Sequence, residues 1–414
     1  MDASGCVHCG LCLPTCPTYQ VTGVEAESPR GRVLLLQELA QGKDLGPQAA
    51  AYLDDCLDCR ACEAVCPSHV ETGHLVGGWR EARGGAATPA LRAARRAMRL
   101  FLGSPRGLAW LQRLARGAAG GGLGIRRLVP LVAPPGVLRL AKGLPAPMPR
   151  SLSRGGVRRP GSPGGVRVAF FAGCVMDAVY AETNLRTADL LALAGAQVEA
   201  LQGATCCGAL AEHAADLATA RALARRNIEA FERSGAEWLV VNAAGCSAFL
   251  REYGRLFAAE PSWRERAERV AARTVDALVF LAGRSLPELP ARPGRVAVHD
   301  ACHHAHAQGI RREPRELLRR AGYEILELTA ADRCCGAAGS YSLTHPAMAG
   351  ELLGRKLASV PEGVETVAAA NPGCLLHIQA GLREQGRGTT ALHPLDLVWQ
   401  AYRDAGRIPG REGR

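Results

Sequence analysis

Four cysteines recur along this chain at a single fixed offset. Cys174, Cys206, Cys207 and Cys246 are repeated 128 residues later as Cys302, Cys334, Cys335 and Cys374, so the pattern C-x31-C-C-x38-C occurs twice. One offset shared by four positions marks an internal duplication. The C-terminal part of the chain must therefore build the same unit twice. The remaining eight cysteines are also repeated, as C-x2-C-x2-C-x3-C-P. One run is Cys6, Cys9, Cys12 and Cys16 before Pro17; the other is Cys56, Cys59, Cys62 and Cys66 before Pro67. All 16 cysteines of the 414 residues belong to one of these patterns.

The two short-spaced runs have the ligand spacing of [4Fe-4S] clusters. An x2, x2 loop wraps three thiolates around one cluster, and in two-cluster ferredoxins the fourth cysteine serves the other one. Carried to this chain, one cluster takes Cys6, Cys9, Cys12 and Cys66; the second takes Cys56, Cys59, Cys62 and Cys16. The competing reading is zinc, which usually takes two CxxC pairs across a longer spacer. His8 and His69 lie beside ligands, but the cysteine sets are already complete, so both are expected to face solvent or to support the ligands.

The long-spaced motif sits in a different context. Strands are expected at Val166–Ala172, Val198–Leu201, Trp238–Val241, Arg295–His299, Tyr323–Leu328 and Thr366–Ala370, each leading to a cysteine. Helices are expected between them at Thr183–Ala194, Asp216–Arg233, Glu313–Ala321 and Met348–Ala358. Alternating strands and helices predict an α/β unit with a mainly parallel sheet in each copy. Ligands collect beyond the C-terminal strand ends of such sheets, and the two copies should face each other as a pseudo-symmetric pair. The bland reading is eight buried free thiols; the functional one is a redox or cluster site in each copy, or one shared between them. His299, His303, His304 and His306 surround Cys302 in the second copy alone. Arg333 beside Cys334 and Cys335 could lower their thiol pKa values.

The fold expected is an α+β multidomain chain. A small, mostly helical ferredoxin-like domain with two [4Fe-4S] clusters spans 1–78, with a connecting helix at Pro29–Gly42. A basic helical connector and linker spans 79–165, and two duplicated α/β domains span 166–292 and 293–414. In the connector, helices are expected at Ala90–Leu102 and Leu108–Ala115, Gly- and Pro-rich breaks at Gly117–Gly124 and Pro130–Pro149, and a linker at 151–165. The net charge of +11 is concentrated there: Arg80–Pro160 holds 16 Arg, one Lys and one acid, Glu81. Charge confined to one segment is poor evidence for nucleic-acid binding, and none is expected. The basic stretch is either a solvated helical face or a dock for anionic lipid or an acidic partner. No secretory signal or apolar run of 18 residues is found, so a cytoplasmic protein is expected.

The residues between the cysteines carry a resemblance to the iron–sulfur subunits of bacterial glycolate oxidase, and more widely to the cysteine-rich CCG-domain proteins. The telling stretches are Cys6–Gln20, Ser28-Pro-Arg-Gly-Arg32, Cys56–Cys62, Asn242–Cys246 and Arg333–Tyr341. The resemblance implies an oxidoreductase that acts on CH–OH, in which glycolate becomes glyoxylate on partner FAD subunits. This chain would carry the electrons towards a membrane quinone, from a peripheral place on the inner face of the cell membrane. No G-x-G-x-x-G follows a strand, so no flavin is expected on this chain. The alternative is an electron-transfer or thiol-redox subunit of a related enzyme acting on D-lactate, glycerol-3-phosphate or a heterodisulfide. Heterodisulfide reductase relatives end each CCG motif in C-x2-C; here the last position is Phe249 in one copy and His377 in the other. That departure puts a noncubane cluster in doubt and leaves a third cofactor at Cys174, Cys206, Cys207, Cys246, Cys302, Cys334, Cys335 and Cys374 open.

Overall fold

The duplication folds into two parallel sheets. The computed structural model describes residues 4–83, 107, 135–145, 157–292 and 294–408. In the first copy the strands are β1 (Arg158–Arg159), β2 (Arg167–Phe171), β3 (Gln197–Ala200), β4 (Trp238–Val241) and β5 (Thr274–Asp276). Their order is β1-β3-β2-β4-β5, parallel throughout except for β1 on the edge. The second copy has β6 (Arg295–His299), β7 (Glu324–Leu326), β8 (Thr366–Ala369) and β9 (Thr390–Leu392), in the order β7-β6-β8-β9 and all parallel. Parallel strands are covered on both faces, so they read as continuous apolar runs; Val168, Phe170 and Phe171 are all buried.

The helices between strands have legible ends. Leu217–Ser234 is capped by the Asp216 carboxylate, which accepts from Thr219 N at 3.3 Å, and it stops at left-handed Gly235. Ala181–Leu193 is followed by Gly195 at φ 88°. Both endings follow the usual preferences for an acceptor at the N-cap and glycine after the last turn.

The copies pack as a pseudo-twofold pair around a shared core. Val168 and Phe170 of the first sheet and Val296 and Val298 of the second belong to one apolar cluster, together with Trp399 and Tyr402. Helix Ala181–Leu193 packs on Pro394–Asp404 of the other copy, and Ala277–Ala282 packs on Arg312–Arg320. Polar contacts seal the joint: Thr183 Oγ1 donates to Asp396 at 2.8 Å, Trp399 Nε1 to Asp189 at 3.0 Å, and Ala244 N to Ala370 O at 3.0 Å.

The cysteine-rich N-terminal part is helical. Its helices are Pro17–Thr22, Pro29–Ala40, Gly46–Asp54, Ala61–Ala64 and Thr72–Ala82. Two expectations for the connector need correction. The stretch expected as a Pro-rich break contains a helix, Pro135–Gly143, which packs on Pro372–Glu384. Proline at a first helical position satisfies the helix rather than breaking it. The stretch expected as linker ends in structure: Val157 is buried and Arg158–Arg159 add an edge strand to β3. The expected helices at 90–102 and 108–115 and the Gly-rich break at 117–124 lie outside the described residues. Among the described residues, no helix is long and apolar enough to cross a membrane.

Candidate iron–sulfur and thiol centres

Each short-spaced loop curls its thiols inward by the same backbone device. His8 and Gly10 in the first loop, and Asp58 and Arg60 in the second, all take positive φ, from 53° to 82°. These are equivalent positions, two and four residues beyond the leading cysteine. Three thiols of one run then meet the fourth of the other. Cys6, Cys9, Cys12 and Cys66 line one cavity, with Arg30 and Pro67 beside them. Cys16, Cys56, Cys59 and Cys62 line a second, with Arg32, Thr18 and Thr72. Four thiols converging on one cavity suit an iron–sulfur group, and this holds for both sets. Burial pushes the Cys12, Cys56, Cys59 and Cys62 thiols up, so a metal would be needed to hold them as thiolates. His8 and His69 are both exposed.

The Ser28-Pro-Arg-Gly-Arg32 stretch supports both loops, a role the sequence alone did not disclose. Ser28 caps helix Pro29–Ala40 by accepting from Gly31 N at 2.9 Å. Arg30 reaches the first loop, donating to His8 O at 3.1 Å. Arg32 is 2% exposed and reaches the second. It donates to Tyr52 O at 2.8 Å and Thr18 Oγ1 at 3.0 Å, and lies 3.7 Å from Cys16 Sγ.

The long-spaced cysteines all gather beyond strand ends. Cys174 opens helix Cys174–Val179, and Cys302 opens Cys302–Ala305. Cys246 and Cys374 lie in the first turns of Ala244–Arg251 and Pro372–Glu384, where the sequence suggested no helix. Tight turns present the adjacent pairs: a Cβ on Gly336 would stand 2.7 Å from Ala349 O, and its φ is 87°. In the first copy the thiols form two couples, Cys174–Cys206 at 3.4 Å and Cys207–Cys246 at 3.3 Å. Hydrogen bonds from Cys174 and Cys207 hold the Cys206 thiol well below the usual range.

The second copy adds imidazoles. His303 Nδ1 lies 3.6 Å from Cys302 Sγ. His299 lies with Cys335 and Cys374, its ligating nitrogen and their sulfurs within 4.8 Å of one another. The Cys302 thiol is held low, first by Cys334 and then by His303. Cys335 is held low by Cys334, Cys374 and His299 in that order. Against its burial, the Cys302 charge pushes His303 up to about 9.

Other residues singled out in the sequence face elsewhere. His304 pairs with Asp276 of the first copy at 2.8 Å, and His306 bonds Asp332 O at 3.1 Å. Arg333 is exposed and is not what lowers Cys335. His377 Nε2 bonds Ala349 O at 3.2 Å, while the Phe249 ring fills the matching place beside Gly208. Phe249 has no donor with which to replace a missing thiol, whereas His377 is tied to backbone through Nε2 and leaves Nδ1 buried without a partner.

The second thiol cavity packs against the second copy. Leu57, Cys59, Cys334, Tyr341, Ala349 and Leu352 form one apolar cluster, with Cys302 packed against it. The N-terminal unit also docks on the first copy through Arg60 and His74, which hold Glu252, and through Glu71, which holds Arg255. The neighbouring Asp58, Glu212 and His213 border this joint, and nothing in their sequence spacing announced them.

Comparisons agree with this division of the chain. The 4Fe-4S dicluster domain family matches residues 2–70, and the Cysteine-rich domain (CCG) family matches residues 168–251 and 296–379. The chain is 35% identical to the probable glycolate oxidase iron–sulfur subunit of Bacillus subtilis, covering 96% of this chain and 93% of that protein. It is 32% identical to the glycolate oxidase iron–sulfur subunit of Escherichia coli, with the same coverage, 96% and 93%. Lactate utilization protein A of Oceanobacillus iheyensis is 28% identical over 58% of this chain and 99% of its own length.

Proposed function

The chain belongs to the glycolate oxidase iron–sulfur subunit family, and from that premise we propose that it is the electron-transfer subunit of a glycolate-oxidising complex. Glycolate is oxidised to glyoxylate on separate FAD-bearing subunits, and the electrons pass through this chain towards a membrane quinone. The observation that carries this reading is the packing of Cys59 with Cys302 and Cys334 in one apolar cluster, which joins the second thiol cavity to the second CCG copy.

We assign Cys6, Cys9, Cys12 and Cys66 to one [4Fe-4S] cluster and Cys16, Cys56, Cys59 and Cys62 to another. Clusters bound there supply one-electron transfer. The protein buries Cys16 and Cys59 of the second set and offsets the set's negative charge with the buried Arg32 guanidinium. Cys302, Cys334, Cys335 and Cys374, with His299 and His303 at hand, are the set for any third redox group. On this reading the protein is cytoplasmic. The Arg-rich segment between Arg80 and Pro160 would then attach it to the inner face of the membrane.

Affinity purification of the tagged chain tests the proposal. A flavoprotein should accompany it, iron and sulfide should each approach about eight per chain, and deletion of the chain should abolish glycolate-dependent dye reduction. Dye reduction that survives deletion, with no flavoprotein retained, would sink the idea. The thiol couples of the first copy, at 3.3 and 3.4 Å, favour a second reading as a thiol–disulfide reductase. Loss of disulfide reduction in Cys206→Ser and Cys207→Ser, with iron unchanged, would support it.

A further inference from the structure

We propose that Asp58, His213 and His303 form a binding site for a single divalent cation of the zinc, iron(II) or cobalt(II) class. One ligand would come from each of the three units of the chain: Asp58 from the second cysteine loop, His213 from the first CCG copy, and His303 from the second. The site stands independently of the electron-transfer reading.

The geometry supports it first. One ligating atom from each residue lies within 4.8 Å of the other two. His213 Nδ1 is 3.4 Å from Asp58 Oδ2, and the two imidazole rings meet edge-on with centroids 5.7 Å apart. His303 turns Nδ1 towards Cys302 Sγ, which leaves Nε2 as its nitrogen for a cation. Two imidazoles and a carboxylate are a donor set these ions accept. All three residues line one cavity between the units, so water or a small ligand can complete the coordination.

The electrostatics point the same way. Burial, and next the charge of Asp58, push the Glu212 carboxyl up to about 7. Three arginines also line the cavity. Those arginines are engaged elsewhere: Arg60 with Glu63 and Glu252, Arg255 with Glu71, and Arg221 with Leu256 O. The duplication does not produce a second site, because Val175 occupies the position of His303 in the first copy.

The test is zinc content of the full-length chain. The protein is purified anaerobically, exposed to excess Zn2+ and desalted, and iron and sulfide are measured in the same samples. One zinc per chain is expected in the unaltered protein and almost none in His213→Gln, with iron and sulfide unchanged. Asp58→Asn sits between cysteine ligands and can disturb them, so His213→Gln is the deciding variant. Cys374→Ser should keep its zinc, which separates this site from the thiols of the second copy. No zinc in the unaltered chain, zinc retained in His213→Gln, or zinc lost in Cys374→Ser would each overturn the proposal.

Discussion

Arg32 shows how one side chain can decide whether a thiol site forms. It is buried, and its guanidinium spans Tyr52 O, Thr18 Oγ1 and Cys16 Sγ. Arg32→Met removes the charge and strands these buried acceptors, at about 1–3 kcal/mol for each unsatisfied group. Iron per chain should fall from about eight towards about four, with a lower melting temperature; iron analysis and calorimetry check both. Arg32→Lys should not rescue it, because an ammonium cannot span three acceptors held in a planar fork. Unchanged iron in Arg32→Met would remove Arg32 from the site. The sequence displayed the eight short-spaced cysteines because ligand spacing is a local property. It concealed Arg32, whose role depends on where helix Pro29–Ala40 lies. The four clustered histidines misled for the same reason. Neighbours in sequence, they point in different directions, and only His299 and His303 reach the thiols.

At the level of elements, the glycine within Ser28-Pro-Arg-Gly-Arg32 sets how closely that helix lies on the turn before it. A Cβ on Gly31 would fall 2.0 Å from Glu25 O, which no rotamer change can relieve. Gly31→Ala should therefore cost about 1–3 kcal/mol by overpacking and pull Arg30 and Arg32 off their loops; thermal melting and iron content read the two effects. Stability equal to the unaltered chain would show that the turn yields freely. Central buried strands were legible: Trp238–Val241 and Arg295–His299 have the bounds expected from their apolar cores. The edge strands β1, β5 and β9 have two or three residues each, too few for any period to emerge. Helices Ala244–Arg251 and Pro372–Glu384 start on small residues and Pro-Gly, which read locally as turns.

Across the whole molecule, the N-terminal unit is held against the first CCG copy by charges whose strength depends on pH. Burial alone would raise Glu252, but His74 and Arg60 outweigh it and bring the carboxyl from 4.5 to about 2. That contribution is complete above 4.5 and is lost as pH falls from there towards about 2. His74 is raised above 6.5 by Glu252 despite its burial, so its share is complete below 6.5 and fades as pH rises through the raised value. Docking should thus be tightest in mildly acidic solution and loosen on both sides. Hydrogen exchange of 249–256 across pH measures it, and Glu252→Gln should flatten the profile; a flat profile in the unaltered chain would refute the argument. The core shared by Val168, Phe170, Val296 and Val298 makes a further demand. The two CCG copies should melt in one calorimetric transition, and two resolved transitions would show that they are independent.

The strand ends at Asp276 and His393 are equivalent places in the two copies, and each reaches across the joint: Asp276 to His304 at 2.8 Å, His393 to Asn242 O at 2.9 Å. In a homodimer of one such domain, any mutation would appear on both sides at once. An acid at that strand end, or an imidazole after the first cysteine, would be imposed on both halves. Covalent fusion lifts that obligation. One half can keep bare thiol couples while the other acquires histidines, and the ancestral symmetry survives only where packing still requires it.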